Sequence, residues 1–306
     1  DAAMGQVGAT WTGEFLPLTV REQRWALGRP AERAADGPAI TPRPQVKLLQ
    51  LGYDQVELEI ASAVPLSVRL HQFHLPAWIA ILNGDRIPTY PSGELGLVTA
   101  DLPAGGGRLA FSFGPTAAWM IAAALACATT LVWAALAWRA RPGTRALRRA
   151  AAGLLIVVAL LMLNRLGIGR QSWTPQPVGA AVGDVALLLG YDVAPARGAD
   201  ALDVTLYWFA LRDVGENYKA FVHLVGPDGG VLAQHDGDPG GGFTPTSRWR
   251  SGELIADRHR VPLPTNLPVG TYSLKTGMYR PEPLRNLPVD PPTPDGRVDL
   301  GVYRRP

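Results

Sequence analysis

Residues 117–138, AAWMIAAALACATTLVWAALAW, run for 22 positions without a charged side chain, and no other feature of the sequence limits its folds so tightly. At about 1.5 Å per residue a helix of that length reaches roughly 33 Å, against a hydrocarbon core of about 30 Å. Trp119 and Trp138 stand near its ends, where amphipathic rings favour the headgroup layer. A second apolar run, residues 150–163, has only 14 positions, but Arg148, Arg149 and Arg165 can snorkel and residues 166–168 extend it. Between the runs lies RARPGTRALRR, in which Arg139, Arg141, Arg145, Arg148 and Arg149 supply the excess that the positive-inside rule places in the cytoplasm. The pattern predicts a two-helix transmembrane hairpin over 116–167 with a basic cytoplasmic loop at 139–149. The lipid bilayer is then a partner, the location is a bacterial cell membrane crossed more than once, and both flanking regions are extracytoplasmic. A buried helix is the alternative for the first run, and an arm binding DNA or lipid headgroups is the alternative for the arginines.

Both flanks read as β-structure. Gly (34) and Pro (28) together make about a fifth of the 306 residues, which excludes a helical bundle and favours short strands joined by turns. Residues 1–44 read as an extended lead-in with one short helix near 20–27. Residues 45–115 read as a membrane-proximal antiparallel β-domain: VKLLQL, QVELEI and LSVRLHQ alternate, and Asn83-Gly84 between two apolar runs marks a type I′ hairpin. Residues 168–180 read as a linker and 181–306 as a β-sandwich with strand-like runs at regular spacing. In DVTLYWFA, Val204, Leu206 and Trp208 share one face and Thr205, Tyr207 and Phe209 the other, so both faces are apolar and the strand is central. The predicted class is therefore mainly β, two extracytoplasmic antiparallel β-sandwich-like domains joined by the membrane hairpin. The chain, opening at Asp1, reads as a piece of something longer.

The net charge of +3 suggests a polyanion partner until the charges are located. No Asp or Glu occurs between Asp101 and Asp184, and without the five loop arginines the chain has 24 basic against 26 acidic residues. The basicity is local, so nucleic acid is not expected as a partner. The single cysteine, Cys127, excludes an internal disulfide and a Cys-based zinc knuckle.

Pro76-Ala77-Trp78, Asn83-Gly84-Asp85, Gly96-Leu97 and Leu102-Pro103-Ala104-Gly105, followed by a strand and an apolar helix, resemble the tail of YfhO-type membrane proteins. They also resemble the bacterial 6-pyruvoyl-tetrahydropterin-synthase-related membrane proteins. Gly8-Ala9-Thr10 and Gly13-Glu14-Phe15-Leu16-Pro17 are similar to a stretch upstream in the second family. Ala77 in place of Gly, and Asn83 before Gly-Asp, depart from the pattern. Over residues 5–140 the resemblance implies a multi-spanning parent akin to glycosyltransferases that use polyprenyl-linked sugars, with its catalytic acidic loops in amino-terminal spans outside this sequence. Gly190-Tyr191-Asp192, Leu206-Tyr207-Trp208, Phe221-Val222-His223-Leu224 and Pro245-Thr246-Ser247-Arg248-Trp249 are similar to a carboxy-terminal β-domain of such proteins, to which no activity is attached.

Candidate sites are few. A pterin synthase needs a histidine zinc site, yet His71 and His74 lie three apart on a strand and face opposite sides. Asp236-Gly237-Asp238 copies the Asp-x-Asp spacing with which two carboxylates share a hard cation, although DGDPGGG is also a turn sequence. His223, in FVHLV, reads as a hydrogen-bonded core residue. No nucleophile elbow, phosphate loop or dinucleotide glycine pattern is present, so no catalytic set and no cofactor is expected. Trp208, Trp249, Tyr207 and Tyr279 are candidates for a sugar platform, with Trp249 foremost because TPTSRWRSG reads as an exposed loop, although alternating aromatics are commonly core. The expected function is a non-catalytic, membrane-anchored portion of a glycosyltransferase-like envelope protein that presents or binds glycan or a polyprenyl-linked sugar. A purely structural or adhesive module is the alternative, and an enzyme built around Asp236, Asp238 and His235 is a third.

Overall fold

Strict alternation of apolar and polar residues makes the first strands. Val56, Leu58 and Ile60 are buried while Glu57 and Glu59 point away, and Leu66, Val68 and Leu70 are buried while Ser67 and Arg69 point away. The computed structural model describes residues 36–114, 116–139, 172–196 and 200–305, together with 152, 153, 156 and 159. Its first half holds β1 (Gln45–Gly52), β2 (Gln55–Ala61), β3 (Leu66–Phe73), β4 (Trp78–Leu82), β5 (Asp85–Ile87), β6 (Tyr90–Ser92), β7 (Leu97–Leu102) and β8 (Gly107–Phe113), then the helix α1 (Ala117–Arg139). After it come β9 (Ser172–Trp173), β10 (Gln176–Val182), β11 (Ala186–Pro195), β12 (Ala201–Ala210), β13 (Lys219–Val225) and β14 (Val231–Gly237). The chain ends with β15 (Glu253–Pro262), β16 (Gly270–Pro281), β17 (Leu284–Asn286), β18 (Val289–Asp290) and β19 (Val298–Arg305).

These strands form three sheets. The first runs β5-β4-β8-β2-β1-β9, the middle one β18-β10-β11-β12-β15-β3-β7-β6, and the third β14-β13-β16-β17 with β19 also on β16. The middle sheet is buried on both faces. Leu188, Leu206, Trp208 and Ile255 enter a core shared with the third sheet, whereas Leu187, Tyr207, Phe209 and Leu254 enter one shared with the first. The two apolar faces of DVTLYWFA are thus the two faces of one strand in a three-layer stack.

The two β-regions are fused rather than separate. β3 and β15 pair in parallel through Arg69↔Glu253 and Leu70↔Leu254, and the Arg69 N–H donates to the Gly252 carbonyl at 2.9 Å. Gly252 sits at φ +78°, and a Cβ there would lie 1.8 Å from the Ser67 carbonyl oxygen, so only glycine permits this approach. Glu253 is buried at the seam and accepts from His71 Nδ1 at 2.9 Å and from the Arg250 N–H at 3.2 Å. The segment before β1 also docks on the second half: Asp36 accepts from the Gly215 N–H and from Arg212, and the Ile40 N–H donates to Leu211.

Several expectations need correction. Among the described residues no helix is long and apolar enough to cross a membrane, and no two-helix hairpin is present. The run 117–138 is apolar chiefly through alanine. Ten residues of α1 are Ala, and only Ile121, Leu125, Leu131, Val132 and Leu136 are the branched aliphatic kind that drives insertion. The multi-pass membrane location and the extracytoplasmic placement of both flanks are withdrawn with the hairpin. Arg139 ends α1, whereas Arg141, Arg145, Arg148 and Arg149 lie outside the described residues, as do most of 150–163 and the short helix near 20–27. The stretch read as a linker contains β9 and the start of β10, because Trp173 pairs with Leu51. The Asn83-Gly84 turn is as expected, with φ of 53° and 97° and Leu82 opposite Asp85.

Candidate functional site: a cleft where two strands part

The parallel contact between β3 and β15 lasts two residues, and beyond it the exposed side of β15 opens a cleft of about 680 Å³. Strand alternation sorts its wall. Ala256, Arg258 and Arg260 are exposed, while Asp257 and His259 between them are buried. Opposite stand Tyr53, after β1, and Trp173 of β9, whose rings meet edge to face at a centroid distance of 5.7 Å. Tyr53 is 64% exposed. Asp192 on β11 accepts from Trp173 Nε1 at 2.7 Å and from the Tyr207 hydroxyl at 2.6 Å, so the indole is held in one orientation. Burial first, then the Asp192 carboxylate, pushes the Tyr207 phenol well above its ordinary range and keeps it a neutral donor.

At the other end of the cleft three titratable groups stand in line. Asp257 accepts from His259 Nε2 at 2.9 Å, from the Gly240 N–H at 2.8 Å and, more weakly, from Trp208 Nε1 at 3.4 Å. His259 Nδ1 lies 3.0 Å from His235 Nδ1, with the rings crossed at 81°. His235, on β14, is half-buried and lines the cleft with His259. Burial alone would raise the Asp257 pKa, but the His259 charge and the three donors bring it below the usual carboxylate range. Burial likewise opposes charge on His259, and Asp257 more than offsets it, so its pKa is raised. For His235 burial and the neighbouring His259 act together and lower it.

The residues singled out from sequence are scattered. Trp208 and Trp249 are 0% and 1% exposed, so neither ring can face a sugar. The loop carrying Trp249 folds inward, and its Nε1 donates to the Thr244 carbonyl at 2.8 Å. Tyr207 is buried and reaches the cleft through its hydroxyl, while Tyr279 lies on the third sheet beside Asp236, away from the cleft. Asp236 approaches His223 Nε2 at 3.5 Å, and Asp238 precedes a single 3₁₀ turn. Among the described residues no three His, Cys, Asp or Glu side chains come together to hold a metal ion, and we assign no metal ligand. His223 is half-buried, stacked on Phe221 at 4.3 Å with Arg297 nearby at 3.4 Å, rather than a core residue. Sequence reasoning missed Tyr53, Trp173, Asp192, Asp257 and the His235–His259 contact. The one local signal was the alternation in ADRHR, which places Asp257 and His259 on one face.

No protein-family model matches the sequence, and no curated protein matches it. Among solved structures, a β-glycosidase from Bacteroides vulgatus is 11% identical over 81% of this chain and 26% of its own, at a TM-score of 0.22. A β-glucuronidase from glycoside hydrolase family 2 is 8% identical over 90% of this chain and 28% of its own, at 0.26. The chain thus spans little more than a quarter of either protein, and at such TM-scores the likeness supports no conclusion about its function.

Proposed function

We propose that this chain is a non-catalytic glycan-binding β-module and that the cleft beside β15 is where it takes the sugar. The observation that carries this reading is the aromatic pair of exposed Tyr53 and half-buried Trp173, the indole held by Asp192, in a cleft also lined by Arg258 and Gln72. Pyranose rings bury their C–H faces on aromatic rings and bond their hydroxyls to such planar polar groups, so an apolar plate beside fixed donors and acceptors suits them. The resemblance of residues 5–140 to glycosyltransferase-like proteins supports sugar as the ligand class. Calorimetric titration of the full chain with a panel of neutral and acidic oligosaccharides tests it. At least one is expected to bind saturably, and Tyr53→Ala to weaken it about tenfold, about 1.4 kcal/mol, with unchanged thermal stability. Absence of binding by every member at millimolar concentration overturns the reading and leaves a structural or adhesive module.

A further inference from the structure

We propose that Asp257, His259 and His235 form a proton relay that takes up one proton at Nε2 of His235, a ring that lines the cleft, and stores its charge on buried His259. The Nδ1–Nδ1 distance of 3.0 Å points to it, because two imidazole nitrogens so close share a single proton: one donates and the other accepts. His259 Nε2 faces the Asp257 carboxylate at 2.9 Å and therefore carries a hydrogen in every state. Before uptake His259 is neutral, its Nδ1 accepts from His235 Nδ1–H, and the His235 Nε2 lone pair is left over on a ring that lines the cleft. Among the described residues that Nε2 has no hydrogen-bond partner.

When a proton from solvent binds Nε2, the Nδ1–H of His235 passes to His259 Nδ1. His235 is left neutral with its hydrogen on Nε2, and His259 becomes an imidazolium against Asp257. One proton enters, one shifts, and the charge comes to rest in the pair that three donors to Asp257 have prepared. Charge on His259 stands 2.9 Å from the Asp257 carboxylate, whereas charge kept on His235 would face Asp257 only from beyond that ring.

The surroundings agree. From β15, Asp257 favours charge on His259 and, more distantly, on His235, while Arg258 and Arg260 line the cleft. Asp236 on β14 favours charge on both rings, while Asp192 of β11 and Asp203 and Tyr207 of β12 stand on the cleft wall, Asp203 being occupied by Arg260 at 2.8 Å. The consequence for a ligand is a reversal of hydrogen-bond polarity at a neutral atom. His235 Nε2 accepts from a hydroxyl at high pH and donates to an oxygen acceptor, such as a carboxylate, at low pH.

This inference does not rest on the sugar reading, and its test needs no ligand. Imidazole nitrogen spectra of the full chain across a pH titration report which ring nitrogens carry hydrogen. His235 is expected to pass from the Nδ1–H to the Nε2–H form while His259 alone becomes doubly protonated. In His235→Gln, half-buried and expected to fold, His259 is expected to titrate at a lower pH than in the intact chain. His235 becoming doubly protonated before His259, or His259 remaining neutral throughout, overturns the relay, and the intact-chain spectra decide this even if a variant fails to fold.

Discussion

The two faces of the middle sheet are built from the same strands and solve opposite problems. Toward the third sheet β12 and β15 bury Trp208, Asp257 and His259 together, and three donors are directed at the carboxylate. Toward the first sheet the same strands bury Tyr207, Phe209 and Leu254 and then run out of cover, leaving Arg258 and Arg260 at an open wall. Two ion pairs show what the difference means. Asp257–His259 spans 2.9 Å and Asp203–Arg260 spans 2.8 Å, but the first is 1–2% exposed and the second 44–64%. Equal length does not imply equal worth, because water screens one pair and is excluded from the other.

The largest way to break the contrast is Trp208→Ala, which empties the centre of one core and removes a donor from Asp257. A loss of about 3–5 kcal/mol is expected in denaturant unfolding. Next is Asp257→Asn, which leaves His259 without its counter-charge and is expected to cost about 3 kcal/mol. It also removes a pH dependence that Phe209→Ala, on the opposite face, preserves. Because the folded pKa of Asp257 is lowered, its contribution is present above about pH 3.9 and lost as pH falls through the folded value. Because that of His259 is raised, its contribution is complete below about pH 6.5 and lost as pH rises through the folded value. Unfolding measured across pH is therefore expected to show greatest stability between those limits, and a flat profile would break the comparison.

Smaller effects sharpen it. Gly252→Ala, forced against the Ser67 carbonyl at positive φ, is expected to cost about 2 kcal/mol, read as a lower thermal midpoint. Tyr207→Phe removes one hydrogen bond to Asp192 while keeping the buried ring, and about 1 kcal/mol is expected by the same measurement. Arg260→Ala, at the exposed pair, is expected to leave the midpoint unchanged.

Local pattern carried much of the strand structure. Alternation around Val56 and Val68, the positive φ demanded at Asn83-Gly84, and the two apolar faces of Leu206 to Phe209 each follow from a few neighbouring residues. What sequence obscured was non-local. His235 and His259 meet only because β14, on the third sheet, lies over β15, and Trp173 reaches Tyr53 only because β9 adds to the first sheet. Trp249 misled because a loop of polar residues can still turn its one large ring inward. The uncharged run misled because lack of charge is not the same quantity as transfer free energy, which Ala scarcely supplies.

The seam where His71 meets Glu253 joins residues 182 positions apart. Chain closure of that length is entropically slow to find, and each doubling of a loop adds about 0.6 kcal/mol to its cost. The middle sheet is therefore expected to be completed late in folding, after the local hairpins on either side have formed. Until then the facing edges of β3 and β15 are open to pairing with another molecule, so recovery on refolding is expected to fall as concentration rises.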